Sequence, residues 1–336
     1  MAYQQLGTGG NVPQLQLTAF EKKLISRNRA VTVFNRFGEE KGIPKRGGKA
    51  IHFRKLESFL GASYAAAIAS GGAYASGPLA LTEGTPGAAI DATWVTVSAT
   101  VSQYGAYIQI SDLAEYQSID DMLGEVTDNF SEQMPEAMDL VTRDILSAGT
   151  SVQFASTAAS RGNTGSGMLL NLAELREAKR TLMRTSVKPV AKESGRYVVI
   201  THPDALFDLE ADSNITGIYR DAGVRGEGNE IWDTTFKDLP FGFRLYVTPL
   251  ARIWASLGLS GADVYGTLVL GEKAYGTIKL DAMPMRIIRK GLGSAGANDP
   301  LDQVGTVGWK AAHAAVILDQ TRMIRLEHVT SNKSAA

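Results

Sequence analysis

The spacing of apolar and polar positions changes period several times along the chain, and each change marks an element. Lys49 to Phe59 and Thr93 to Ile110 read as strands; in the second, Trp94, Thr96, Ser98 and Thr100 alternate with Val95, Val97, Ala99 and Val101. Between them Gly61 to Ala89 is mostly Gly, Ala and Ser. Such a segment buries little apolar area against the cost of ordering its backbone, so a long hairpin with a loose tip is expected, with one helical turn at Tyr64 to Ala69. The period then becomes helical. Ile119, Met122, Leu123, Val126, Phe130, Met134, Met138, Val141 and Ile145 recur at spacings of three and four, which predicts one long helix from Ser118 to Ser147. Ser118 with Asp121 would cap its start, Gly149 would stop it, and Pro135 should bend it.

A polar link, Ser156 to Gly167, leads to a second helical stripe, Leu172, Leu175, Ala178, Leu182 and Met183, with Asn171 and Glu174 at its start. Tyr197 to Ile200 predicts a strand, and Thr201 a cap for a helix through Leu206 and Leu209. Phe243 to Val247 and Thr267 to Leu270 read as further strands, followed by the longer strands Met285 to Arg289, Val307 to Leu318 and Met323 to Val329.

The 336 residues are 44% hydrophobic and 21% charged, which fits a folded globular protein and excludes a coiled coil or a largely disordered chain. There is no Cys, so disulfides, thiolate nucleophiles and Cys-ligated metals are impossible. Met1 to Phe20 carries no Lys or Arg and no continuous apolar stretch, so no secretory signal is expected. Ala62 to Ala69 and Ala311 to Leu318 are too short to span a bilayer, and a cytoplasmic protein without membrane contact follows as the expectation.

Candidate chemistry is sparse. His52, His202, His313 and His328 have no metal-ligand spacing and read as strand-face or cap residues. Gly291-Leu292-Gly293-Ser294-Ala295-Gly296 matches G-x-G-x-x-G, but Ala297-Asn298-Asp299-Pro300 follows where a dinucleotide site requires a helix. Arg46-Gly47-Gly48-Lys49-Ala50 lacks both the first Gly and the Ser or Thr of a phosphate loop, and no G-x-S-x-G occurs. No catalytic residue, cofactor or metal is expected.

Charge patterning says more. The overall balance is close to neutral, 34 Lys and Arg against 35 Asp and Glu, which excludes a strongly basic nucleic-acid binder. Yet Glu21 to Lys55 holds eleven Lys or Arg against three acids, a local net of +8, and Ser111 to Asp144 holds ten acids against Arg143 alone, a local net of -9. Two solvated faces would account for this blandly. Because the basic block lies on extended segments and the acidic block on a long helix, docking between subunits is the sharper reading. Lys45, Arg46, Lys49, Arg54 and Lys55 are the candidate contacts on one side, and Asp120, Asp121 and Glu125 on the other. The same basic residues could instead face DNA.

Phe34-Asn35-Arg36-Phe37-Gly38, Ile43-Pro44-Lys45 with Gly48-Lys49, Leu79 to Thr85, Gln103-Tyr104-Gly105, Gly149-Thr150 and Gly305-Thr306-Val307-Gly308-Trp309-Lys310-Ala311 together resemble the major capsid proteins of tailed bacteriophages, across some 300 residues. The resemblance implies an α+β fold of the Hong Kong 97 type. Its parts would be an N-terminal arm at 1–37, an extended hairpin loop at 38–101, a peripheral domain with a spine helix at 102–166 and 281–330, an axial domain at 167–280 and a tail at 331–336. It also implies a non-enzymatic, self-assembling icosahedral shell of hexamers and pentamers around double-stranded DNA, assembled in the host bacterial cytoplasm and located in the virion. Some relatives carry a charged helical extension that serves as a scaffold; its absence here points to a separate scaffolding protein, beside a portal, and leaves open whether a decoration protein binds. Alternatives are an encapsulin-like nanocompartment shell and a soluble α/β enzyme with a dispersed site.

Overall fold

A computed structural model describes residues 32–44, 48–57, 83–84, 92–117, 122–217, 238–239, 241–280, 285–291, 294 and 300–331. The expectations for the arm before residue 32, the hairpin tip, the cap at Ser118 and Asp121, and most of the Gly291 to Gly296 motif lie outside these residues. In chain order the elements are β1 (Glu39–Ile43), β2 (Ala50–Leu56), β3 (Trp94–Thr100), β4 (Ser102–Ser111), α1 (Asp112–Gln117), α2 (Met122–Ser147), β5 (Val152–Phe154), α3 (Leu172–Arg184), β6 (Tyr197–Thr201) and α4 (Pro203–Ala211). They continue as β7 (Asp238–Leu239), β8 (Phe243–Val247), β9 (Ile253–Trp254), β10 (Val264–Leu270), β11 (Tyr275–Leu280), β12 (Arg286–Lys290), β13 (Val304–Ile317) and β14 (Met323–His328).

The first sheet is organised by β13. Its fourteen residues pair with β4 along one edge, from Ser102↔His313 to Ser111↔Val304. Along the other edge β12 and β11 follow one another, and β1 adds parallel to β11. Because side chains alternate, the two faces of β13 serve two layers. Val307, Trp309 and Ala311 meet Phe130 and Met138 of α2, whereas Ala312 and Ala314 join Ile43, Phe53, Ala99, Val101 and Ile278 over the base of the β2–β3 hairpin. Gly105 permits the tight β4–β13 approach, since a Cβ there would lie 2.6 Å from the Trp309 carbonyl oxygen.

Helix α2 runs unbroken through Pro135 for 26 residues, about 39 Å. The expected start at Ser118 lies outside the described residues, and α1 is an element that the apolar period does not show. The expected strand from Thr93 to Ile110 is two strands: β3 pairs with β2, β4 with β13, and buried Val101 marks the change of sheet, its N–H donating to the Lys49 carbonyl. Alternation alone cannot reveal such a transfer, because its period continues through the break.

The second sheet has the order β5-β14-β10-β6-β8-β7, with β9 also on β10. One face packs on α3 and α4 through Leu175, Leu182, Leu209, Val199, Phe243 and Val269. As expected, the Asn171 side chain caps α3, accepting from the Glu174 N–H at 2.9 Å. The cap of α4 is His202, whose Nδ1 accepts from the Asp204 N–H, and not Thr201, which is the last residue of β6 and bonds Thr267 at 2.7 Å. The sheets also depart from the expected division at residues 166 and 280. β5 and β14 belong to the second sheet and β11 to the first. Every residue of β14 is buried, as suits a strand between β5 and β10, so its length and position in sequence misplace it.

The second face holds the two sheets together. Val198, Ile200, Leu268, Leu270 and Met323 meet Leu146 of α2, Tyr275 of β11 and Val33, Phe34 and Phe37. Segment 33–37 is therefore wedged between the layers, and polar groups fix it there. Asp139, fully buried on α2, accepts from the N–H groups of Val33 at 2.9 Å and Asn35 at 2.8 Å. The Tyr275 hydroxyl accepts from the Phe37 N–H at 3.2 Å and donates to the Phe34 carbonyl. Gly38 completes the turn, as a Cβ there would lie 2.7 Å from the Tyr275 ring. Replacing Asp139 with Ala leaves one buried and one half-buried N–H donor without an acceptor, so a loss of about 2 to 4 kcal/mol is expected. Urea unfolding of Asp139→Ala and Asp139→Asn checks this, with the Asn variant losing less because one acceptor oxygen remains.

Candidate assembly surfaces

Four of the eight charged residues expected at subunit contacts, Lys45, Arg46, Asp120 and Asp121, lie outside the described residues. Lys49 and Arg54 are exposed on the hairpin root, and Glu125 is half-buried near the start of α2. Lys55 is engaged within its own subunit, its ammonium on the Asp319 carboxylate in the turn before β14. Burial pushes Asp319 up, but Lys55 and the Thr321 hydroxyl and N–H outweigh it and hold the carboxyl below its usual range. None of the described basic candidates pairs with Glu125.

Part of the opposing charge is likewise used internally. Arg36 lies 3.8 Å from Glu193, and Asp144 on α2 pairs with Arg143 at 2.7 Å and Arg252 at 3.2 Å. Asp139 is spent on segment 33–37, where burial pushes its pKa up against the opposing pull of the Val33, Asn35 and Phe34 N–H groups. Counting charges along the sequence therefore overstates how much of each block remains for a partner.

Two groups of exposed apolar side chains supplement the charges. Leu56 and Trp94 face each other across the hairpin at its outer described end, with Trp94 62% exposed. At the corner where the Asp112 N–H meets the Gln303 carbonyl, Leu113, Tyr116 and Leu301 are 61%, 79% and 75% exposed. Large apolar groups so placed are the kind that subunit contacts cover.

The histidines have structural placements. His52 bonds Ser98 across the hairpin and His202 caps α4. The His313 Nε2 lies 2.9 Å from the Thr142 hydroxyl, which in turn reaches Asn35, while the His328 Nε2 lies 2.9 Å from the Thr267 hydroxyl. Among the described residues no three His, Asp or Glu side chains gather as a metal site, and no helix is long and apolar enough to cross a membrane.

Sequence reasoning missed the groups that join the layers. Arg161 forks onto Glu327 at 2.8 and 2.6 Å, and Arg325 reaches the same carboxylate at 2.8 Å. Arg325 also donates to the carbonyls of Ser147 and, at 2.8 Å, Gly149, closing the C-terminal end of α2. Trp254 lies against both guanidiniums, 4.0 Å from that of Arg161. The available signal was Arg325 and Glu327 alternating with Ile324 and Leu326, which reads equally as a solvent face.

A long helix laid across a sheet, a hairpin projecting from that sheet's other side and a second mixed sheet bearing two helices define a subunit of the phage capsid class. The family model for phage capsid proteins matches residues 93–326, and the chain belongs to that family. It is a structural capsid protein, a component of a virion shell built from copies of itself.

Solved structures carry the same fold at low identity. The capsid subunit of cyanophage Pam1 is 14% identical with a TM-score of 0.75, covering 99% of this chain and 100% of that one. That of cyanophage P-SCSP1u is 16% identical with a TM-score of 0.66, covering 94% of each. An encapsulin complex from Synechococcus elongatus is also similar, at 10% identity and a TM-score of 0.54 over 95% of each chain. No curated protein matches the sequence.

Proposed function

We propose that the chain is the major subunit of an icosahedral shell of hexamers and pentamers that encloses the double-stranded DNA of a tailed phage without reading its sequence. The observation carrying this is the family match, supported by a likeness to the Pam1 capsid subunit over the whole of both chains. In this reading the chain has no catalytic role. It assembles in the host bacterial cytoplasm on a separate scaffolding protein and around a portal. Its four working parts are an arm, an extended hairpin, a peripheral unit around α2 and an axial unit around β10. Electron microscopy of the protein produced together with its scaffolding protein tests the reading: closed polyhedral shells are expected, and a dispersed monomer under all assembly conditions would overturn it.

The encapsulin likeness supports a nanocompartment as a second reading, with a lower TM-score. The contents of shells purified from producing cells separate the two, DNA on one side and a protein cargo on the other.

Within the shell, Lys45, Arg46, Lys49 and Arg54 face acidic surface of an adjacent subunit that includes Asp120, Asp121 and Glu125, while Lys55 stays on Asp319 of its own subunit. Opposed patches favour correct docking and are screened by salt, the Debye length falling from about 10 Å at 0.1 M to about 3 Å at 1 M. Reversal of Lys45, Arg46 and Lys49 to Glu is expected to slow shell formation, and added Asp120→Lys, Asp121→Lys and Glu125→Lys to restore it. Unimpaired empty shells together with poor packaging would instead place the basic residues against DNA.

A further inference from the structure

Helix α3 turns a net basic face outward from the second sheet. Arg176, Arg180 and Arg184 are exposed and follow one another at every fourth residue, a rise of about 6 Å per step. With Lys179, Met183 and Phe241 they line a shallow, open concavity of about 480 Å³. Part of this face is preorganised: the Arg176 guanidinium lies over the Phe241 ring at 4.9 Å, and the Lys179 ammonium donates to the Phe241 carbonyl. Among the described residues the face carries one ion pair, Arg180 to Glu177 at 2.6 Å, an exposed helical pair of the kind that a stronger anion displaces.

Among the described residues no acid of the neighbouring helix pairs with Arg176, Arg180 or Arg184: Glu210 is exposed, and the others accept hydrogen bonds from other groups. Asp204 accepts from the Tyr265 hydroxyl, Asp208 from Ser331, and Asp212, at the end of α4, from the Leu172 N–H. A protein partner would need carboxylates in matching register along three guanidiniums. A polyanion with closely spaced charges meets them in any register, and an open surface suits it.

We propose that this face of α3 lies toward the shell interior and binds the phosphate backbone of packaged double-stranded DNA, a site separate from the basic residues of the hairpin root. The inference rests on the capsid reading above. Three displaced phosphate counterions give a slope of log affinity against log salt of about -2.7, so a fourfold rise in salt should weaken binding about 40-fold.

The test is fluorescence anisotropy of the full-length subunit with a labelled 30-base-pair duplex over a salt series, alongside microscopy of assembled particles. The triple change Arg176→Gln, Arg180→Gln, Arg184→Gln is expected to weaken binding at low salt more than tenfold and to flatten the salt slope, with shells still forming. The triple change to Lys should retain binding, since phosphate contact needs the charge, whereas forked pairing with carboxylates needs the guanidinium. Unchanged DNA binding by the Gln variant would overturn the proposal, as would loss of shell formation in both variants, which would make the face a subunit contact. Absence of shells from the unaltered protein would count against the capsid reading itself and is distinguishable from either.

Discussion

Glu327→Ala is expected to lower the unfolding free energy by about 3 to 5 kcal/mol, since removing one member of a buried ionic group strands the charges left behind. Glu327 is fully buried and accepts from Arg161 and Arg325 on both oxygens. Without it, Arg325 keeps only the carbonyls at the end of α2, and two guanidiniums crowd against Trp254 with no counter-charge. Glu327→Gln retains the shape and one acceptor, so it isolates the charge from the packing. Urea unfolding of both variants checks the prediction. Equal stability of Glu327→Ala and the unaltered protein would mean that the packing of Trp254, and not the ionic group, joins β14 to α2.

Stability is expected to fall steeply between pH 6.5 and pH 4. Burial pushes both His313 and His328 down to about 4, with Lys279 adding to the effect at His313 and His202 at His328, where the Val329 carbonyl and Asp208 oppose it. An unfolded histidine takes up its proton near pH 6.5, so within this window the unfolded chain binds more protons than the folded one. Stability is therefore complete above the window and is lost as pH falls through it. A depression of this size corresponds to about 3 kcal/mol per histidine at the bottom of the window. Asp139, whose pKa is raised, runs the other way and offsets part of the loss at the acid end. Thermal unfolding followed across this pH range should show the slope, and His313→Gln and His328→Gln should each remove about half of it. A flat profile in the unaltered protein would mean that both imidazoles escape their pockets on protonation.

Local pattern carried most of the individual elements. The stripe from Val126 to Met138 and the cap at Asn171 lie where their spacing puts them, because an amphipathic face and a side-chain cap are set by neighbours in sequence. What pattern could not carry was which sheet a strand joins. β10 and β11 are neighbours in sequence yet lie in different sheets, and β14 returns to the sheet that β10 left. The charged candidates fared similarly. Residue type identified Lys55 as basic and exposed, but its partner, Asp319, lies 264 positions away, beyond any local signal. Asp139 illustrates the converse: it was counted among acids on a solvent face, whereas the fold turns it inward to hold a backbone segment.

The wedge at residues 33–37 also imposes an order of events on synthesis. Its partners are Asp139 and Thr142, more than 100 positions later, and Tyr275, some 240 positions later. Thr142 in turn leans on His313. On a ribosome this segment emerges early and keeps part of its pairing open until Tyr275 has followed, and contacts so distant in sequence close slowly. The seam between the two sheets is therefore among the last features to set. A nascent chain cannot present a finished seam to its neighbours before Tyr275 and His313 have emerged, which places subunit contacts at that seam after both sheets have been made.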